Sequence, residues 1–195
     1  MKILKATAGL LLCLSVAGYC VAGEPAPVPP SGGDFTLESL TGPVSTRQFR
    51  GKVIMLYFGY TQCPDICPTS LTTMTQALNE LDEAALEKVV GIFVSVDPER
   101  DTPASLASYV GYFHPAFIGV TGAPEAVAAA AGLYGVRYTL TREEGSALDH
   151  TVDHSAIIYL IDPSGVLRFV FPHGTSAATL LGATRMSLEN SYEPG

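Results

Sequence analysis

Residues 52–81 read KVIMLYFGYTQCPDICPTSLTTMTQALNEL, and the fold turns on this stretch. Lys52 to Tyr60 is a nearly unbroken apolar run, the pattern of a strand buried on both faces of a sheet. From Pro68 onward Leu71, Met74, Leu78 and Leu81 recur at helical spacing. Pro68 suits the first turn of that helix, which is predicted to run on through Leu86. A buried strand therefore passes directly into an amphipathic helix, and two cysteines, Cys63 and Cys67, lie at the junction.

The same alternation continues outward. Val89 to Val96 is a second buried strand. Thr102 caps a helix with Pro103 behind it and Leu106, Val110 and Phe113 on one face. A short strand at Phe117–Val120 precedes an Ala-rich helix over Pro124–Tyr134. Ala156–Ile161 and Val166–Phe171 flank the turn Asp162-Pro163-Ser164-Gly165 and form a predicted hairpin, and Ser176–Leu188 closes the chain as a helix. Strands alternating with helices indicate an α/β layer fold. The late hairpin makes the sheet mixed. The outline is that of a single thioredoxin-like domain over residues 34–190, a mixed sheet flanked by helices with an extra helix inserted in the middle.

Residues 1–22 (MKILKATAGLLLCLSVAGYCVA) carry Lys2 and Lys5 ahead of an uncharged apolar run from Ala6 to Ala17. That run is shorter than the ~20 residues of a full span and matches a signal peptide, with a short membrane anchor as the alternative. Ala22 and Gly23 offer a cleavage point, and Tyr19 before Cys20 argues against lipidation. Residues 23–33 (GEPAPVPPSGG) hold four prolines and three glycines, a tether composition. The domain is thus expected outside the cytoplasm, in the periplasm or on the inner membrane facing it. The formal net charge is −8, and removing the leader leaves 19 acidic against 9 basic residues. An acidic surface argues against nucleic acid, which needs Lys and Arg to replace counterions on phosphate. A monomer is expected.

Within the domain Cys63 and Cys67 are the only cysteines. A helix N-terminus carries unpaired N–H groups and partial positive charge, which favour thiolate, the form that binds soft metal and attacks disulfides. As a purely structural disulfide the pair would close a loop of a few residues and stabilise by only about 2 kcal/mol. The C-x-x-x-C spacing also departs from the C-x-x-C redox motif. Two thiolates select Cu(I), and an imidazole would let the site accept Cu(II) as well. Zinc would want four ligands and would need Asp65 or Asp153 in addition. The candidate imidazoles are His114, His150, His154 and His173. His154 is favoured because the loop entering the late hairpin should lie beside the helix start, and His150 in the same loop is its competitor. His114 precedes Pro115 and is expected to end a helix, and His173 follows the last strand, at the expected far end. Residues 140–153 are polar without a hydrophobic period and are predicted to be a loop, mobile without metal and ordered with it.

Three stretches together resemble the Sco/SenC copper proteins, which serve assembly of the copper-A centre of cytochrome c oxidase. They are YFGYTQCPDICPTSL at 57–71, VSVDPERDTP at 94–103 and VDHSAIIYLIDPSG at 152–165, within a likeness running from about Asp34 to Leu188. The resemblance implies that Cys63, Cys67 and His154 bind one copper ion, as Cu(I) or Cu(II), for delivery to the copper-A subunit or another copper protein. The alternative is a thiol–disulfide oxidoreductase working through a redox-active Cys63–Cys67 disulfide. A peroxidase with Thr61 polarising the peroxide ranks third. Asp97 is a candidate for hydrogen bonds behind the site, whereas Arg100 and Asp101 read as an ion-pair and capping set for the Thr102 helix.

Overall fold

The structure is a computed structural model and describes residues 30–142 and 150–189. The leader, most of the tether and residues 143–149 lie outside the described residues. In chain order the elements are β1 (Thr36–Ser39), β2 (Gly42–Ser45), β3 (Val53–Gly59), α1 (Ile66–Asn79), α2 (Glu83–Leu86), β4 (Val89–Ser95), α3 (Pro103–Phe113) and β5 (Phe117–Val120). They continue with α4 (Pro124–Leu133), β6 (Tyr138–Arg142), β7 (His150–His154), β8 (Ile157–Ile161), β9 (Leu167–Pro172) and α5 (Ala177–Glu189).

The apolar runs read as buried strands do form the middle of the sheet. Every residue of β3 and of β4 is buried. The five strands are ordered β5-β4-β3-β8-β9. β3 pairs parallel with β4 and β4 with β5, while β8 runs antiparallel to both β3 and β9. The architecture is therefore the expected thioredoxin-like mixed sheet. Because β9 is antiparallel to β8, it points the same way as β3, and both end on the edge where the cysteines lie. Helix α1 packs against α3 and α5 on one face. On the other face Tyr134, at the end of α4, packs on Phe58 and Tyr159, and β1 contacts α4. No helix among the described residues is long and apolar enough to cross a membrane.

Four local details differ from the sequence expectation. Helix α1 starts at Ile66 rather than Pro68, so Cys67 is its second residue. The predicted helix over 68–86 is two helices, because Asp82 accepts a hydrogen bond from the Ala85 N–H at 2.8 Å and starts a new one. The β1–β2 hairpin has no counterpart in the sequence reading. Its strands are four residues long, and only Leu37, Ser39 and Val44 are buried along them. Finally, both ends of the predicted 140–153 loop are strands. β6 and β7 form a separate two-stranded antiparallel ribbon with Tyr138 opposite His154 and Arg142 opposite His150. His150 and Val152 turn inward while Asp153 faces solvent, so a period-two alternation was present beneath the polar composition.

The N-terminal end of the domain is tied down by Gly32, whose N–H donates to the Leu133 carbonyl at 3.0 Å. The Tyr134 hydroxyl donates to the Gly33 carbonyl at 2.8 Å.

Candidate metal centre

Three segments bring their side chains to one point. Cys63 lies in the loop leaving β3, Cys67 in the first turn of α1, and His154 at the end of β7. One donor atom from each lies within 4.8 Å of the other two. Cys67 Sγ is 3.2 Å from His154 Nε2. On its other side, His154 Nδ1 lies 3.2 Å from the Ser155 carbonyl oxygen. Nδ1 is thus the nitrogen turned to the Ser155 carbonyl and Nε2 the one turned to the sulfurs, the ring orientation of a metal-binding imidazole. The ring is held edge-on by Tyr57 and Tyr60, with centroids 6.1 and 5.9 Å away. Cys63, Pro64, Asp65, Ile66, Val152 and His154 line a cleft open to solvent.

The two thiols are free and inequivalent. Cys63 is partly exposed and its thiol is held well below its ordinary value. The main cause is its hydrogen bond with Cys67, aided by His154 and by the N–H groups of Cys67 and Asp65, and opposed by partial burial. The Cys67 N–H lies 3.5 Å from Cys63 Sγ, as a helix N-terminus requires. Cys67 is fully buried, and the neighbouring Cys63 sulfur together with that burial pushes its thiol up. The two shifts run in opposite directions, so Cys63 is the sulfur favoured as thiolate and Cys67 the one favoured as thiol. Since the thiolate is the nucleophile, iodoacetamide should modify Cys63 alone in the metal-free reduced protein. The folded pKa is depressed, so the thiolate persists as pH falls through the ordinary thiol range. The rate should stay nearly flat from about pH 8 to about pH 5. Peptide mapping after timed alkylation checks this, and a rate falling tenfold per pH unit across that interval would contradict it.

Two sulfurs and one imidazole are a soft donor set suited to copper. No carboxylate joins the cluster among the described residues, so the fourth ligand that structural zinc would need from Asp65 or Asp153 is missing. Asp65 instead accepts from the Thr69 hydroxyl at 3.4 Å.

The other imidazoles are placed elsewhere. Residues four apart in a strand are separated by about 13 Å, so His150 and His154 cannot share one centre. His150 is buried against Asp97, with Nε2 3.0 Å from Oδ1. His114 ends α3 as expected and accepts from the Ala116 N–H at 3.0 Å. His173, expected at the far end, follows β9 on the cysteine edge, and its Nδ1 lies 3.5 Å from Ser70 Oγ in α1. The direction of β9 decides this, and its sequence does not reveal it.

The 97–101 segment is tied to the site on both sides. Asp101 does not cap α3, a task that Thr102 and Ser105 perform reciprocally. Its carboxylate accepts from the Thr61 N–H at 3.0 Å, the Thr61 hydroxyl at 2.5 Å and the Ser95 hydroxyl at 2.6 Å, fixing the loop that leads into Cys63. With its hydroxyl proton engaged, Thr61 is not set to donate to a peroxide. Asp97 accepts from Arg100 Nε at 2.5 Å, and Arg100 also donates to the His150 carbonyl at 2.8 Å and to Gln62 Oε1 at 3.3 Å.

Comparison with known proteins agrees with this geometry. A sequence profile described as SCO1/SenC matches residues 24–189. The chain is 40% identical over 155 residues to the mitochondrial SCO2 homolog of Bos taurus, covering 78% of this chain and 58% of that one. It is 42% identical over 135 residues to mitochondrial SCO2 of Saccharomyces cerevisiae, covering 69% and 45% of the two chains. The chain thus spans about half the length of these relatives. Among solved structures, copper-bound ScoI of Arabidopsis thaliana superposes with a TM-score of 0.74 at 38% identity, over 81% of this chain and 98% of that one. Copper-bound yeast Sco1 superposes with a TM-score of 0.75 at 33% identity, over 86% and 92%. The chain belongs to the SCO1/SenC family.

Proposed function

We propose that this protein is a copper metallochaperone that takes up one copper ion through Cys63, Cys67 and His154 and delivers it to the copper-A centre of cytochrome c oxidase. The observation that carries the reading is the convergence of two sulfurs and an imidazole nitrogen of His154 within 4.8 Å on the edge of an open cleft. Two relatives above 30% identity were solved with copper bound. The three donors come from three segments and none encloses the site from the solvent side. A recipient thiolate entering over Pro64 and Ile66 can therefore reach the cargo and replace one donor at a time.

A second reading is favoured by the inequivalence of the thiols. The Cys63 thiolate can attack a disulfide in the target, expelling one target sulfur as a thiolate. The Cys67 sulfur, losing its proton, then displaces the second. The target is reduced by two electrons and Cys63–Cys67 becomes the disulfide. The chain is exported on this proposal, with residues 1–22 as signal peptide or membrane anchor, 23–33 as tether and a monomeric domain beyond, acting in the periplasm.

Anaerobic titration of the fully reduced protein tests the main reading. One copper per chain is expected, and Cu(II) should give a sulfur-to-copper charge-transfer band. Protein with verified free thiols that shows no such band would overturn it.

A further inference from the structure

The β6–β7 ribbon carries His154 but is not part of the five-stranded sheet. An isolated two-stranded ribbon is marginal on its own, so its position must be imposed by the body of the domain. The turn after β4 supplies a grip. Asp97 is fixed there through its backbone: its N–H donates to Ser95 Oγ at 3.1 Å, and its carbonyl accepts from the Arg100 and Asp101 N–H groups at 3.2 and 2.9 Å. From this rigid turn two side chains hold residue 150. The Asp97 carboxylate takes the His150 ring at 3.0 Å, with both side chains 1% exposed, and Arg100 donates to the His150 backbone carbonyl at 2.8 Å. The Arg100 guanidinium also lies over the Tyr60 ring, 5.7 Å from its centroid, and Tyr60 packs edge-on against His154.

We propose that Asp97, Arg100 and His150 form a positioning clamp that keeps the His154 imidazole opposite the cysteines, so that retention of Cu(II), but not of Cu(I), depends on residues that never touch the metal. The inference rests on the copper reading given above. The mechanical reasoning is short. His150 and His154 are the two ends of one extended five-residue strand, so a pivot at residue 150 swings the far end. Cys63 and Cys67 are held by the β3–α1 junction and would not follow. Two thiolates alone satisfy Cu(I), a soft d¹⁰ ion, whereas Cu(II) needs the nitrogen donor. Stability alone does not account for this arrangement. His150 is buried and its Nδ1 has no hydrogen-bond partner among the described residues, and an unmet buried polar atom disfavours folding. An apolar residue of similar size would avoid that penalty.

The test is parallel Cu(II) and Cu(I) competition titration of the reduced protein and its variants, with absorption spectra and thermal unfolding of the metal-free forms. Asp97→Ala removes the partner of the His150 ring and the carboxylate that orients Arg100, and should weaken Cu(II) by about 10–100-fold, the usual effect of losing a group behind a ligand. Its charge-transfer band should shift, and its Cu(I) affinity should be unchanged. His150→Leu should move in the same direction by less, because Arg100 still reaches the backbone carbonyl. It leaves Asp97 paired with Arg100, so it carries the test should Asp97→Ala fail to fold. Asp97→Asn keeps an acceptor and should recover part of the loss. Equal losses for the two oxidation states, or unchanged Cu(II) binding and spectrum in Asp97→Ala and His150→Leu, would overturn the clamp while the copper reading stands. Failure of the copper reading looks different: the unsubstituted protein would show no thiolate-to-Cu(II) band, or His154→Ala would match it.

Discussion

His154→Ala will lose Cu(II) and keep Cu(I). The imidazole is the sole nitrogen donor in the cluster among the described residues, with Nε2 3.2 Å from Cys67 Sγ. Removing a group that only orients a ligand costs about 10–100-fold in metal affinity, so removing the ligand itself should cost Cu(II) at least about a hundredfold. Cu(I) tolerates two-coordinate sulfur and should remain bound by Cys63 and Cys67. Cys63→Ser or Cys67→Ser should abolish tight binding of both ions, since each removes half of the soft donor pair. Thiol–disulfide exchange should respond the other way. It depends on the Cys63 thiolate and the nearby Cys67, and His154 contributes less to the low Cys63 value than the Cys67 hydrogen bond does. The measurements are competition titrations with both ions, and oxidase copper loading in cells carrying each variant. If delivery is the function, His154→Ala cells should lack loaded oxidase despite intact thiols. Normal assembly in that strain would transfer the role to thiol reduction. Loss of Cu(II) in His150→Ala with retention in His154→Ala would mean that the wrong histidine has been placed at the metal.

Gly59→Ala should damage fold and site together. Gly59 is the last residue of β3, directly beneath Cys67. A Cβ there would lie 2.6 Å from Cys67 Sγ and 3.1 Å from both the Phe93 and Tyr57 rings. All three neighbours are fully buried, so none can step aside into solvent. Overpacking of this kind costs about 1–3 kcal/mol. The atom pushed hardest is a proposed ligand sulfur, so Cu(I) and Cu(II) affinities should both fall, unlike the split expected for His154→Ala. Gly182→Ala in α5 is the control. Its Cβ would meet nothing within 4 Å, and the change should be neutral or stabilise by about 0.5–1 kcal/mol. Urea unfolding and copper titration of the two variants make the comparison. Gly59→Ala with native stability and copper affinity would show that α1 has more freedom over β3 than the packing indicates.

The parts of the protein that could be read from its sequence share one property: their signals are local. β3 and β4 announce themselves because a strand buried on both faces must be apolar at every position. α3 announces itself through Thr102 and Pro103, whose side chains act within one turn. Cys63 and Cys67 fall at a strand–helix junction that four neighbouring residues define, and the motif around His154 is equally short. The β6–β7 ribbon was hidden because its inward face is built from histidines and one valine rather than from an aliphatic pattern, so polarity read as loop.

What only the tertiary structure decided are relations between distant positions. Asp101 meets Thr61 across 40 residues and Asp97 meets His150 across 53, so Asp101's hold on the Cys63 loop and the partner that Asp97 takes could not be read from VDPERDTP alone. Strand register likewise puts one imidazole, His150, against a carboxylate and the other, His154, against a sulfur. His173 came to the cysteine edge because β9 runs parallel to β3. The sequence by itself determined the five strands of the main sheet, its long helices and which side chains can carry soft-metal chemistry, because propensity, burial and donor type belong to single residues and short windows. Which of those side chains meet depends on the direction and pairing of strands far apart in the chain, and only the folded sheet specifies that.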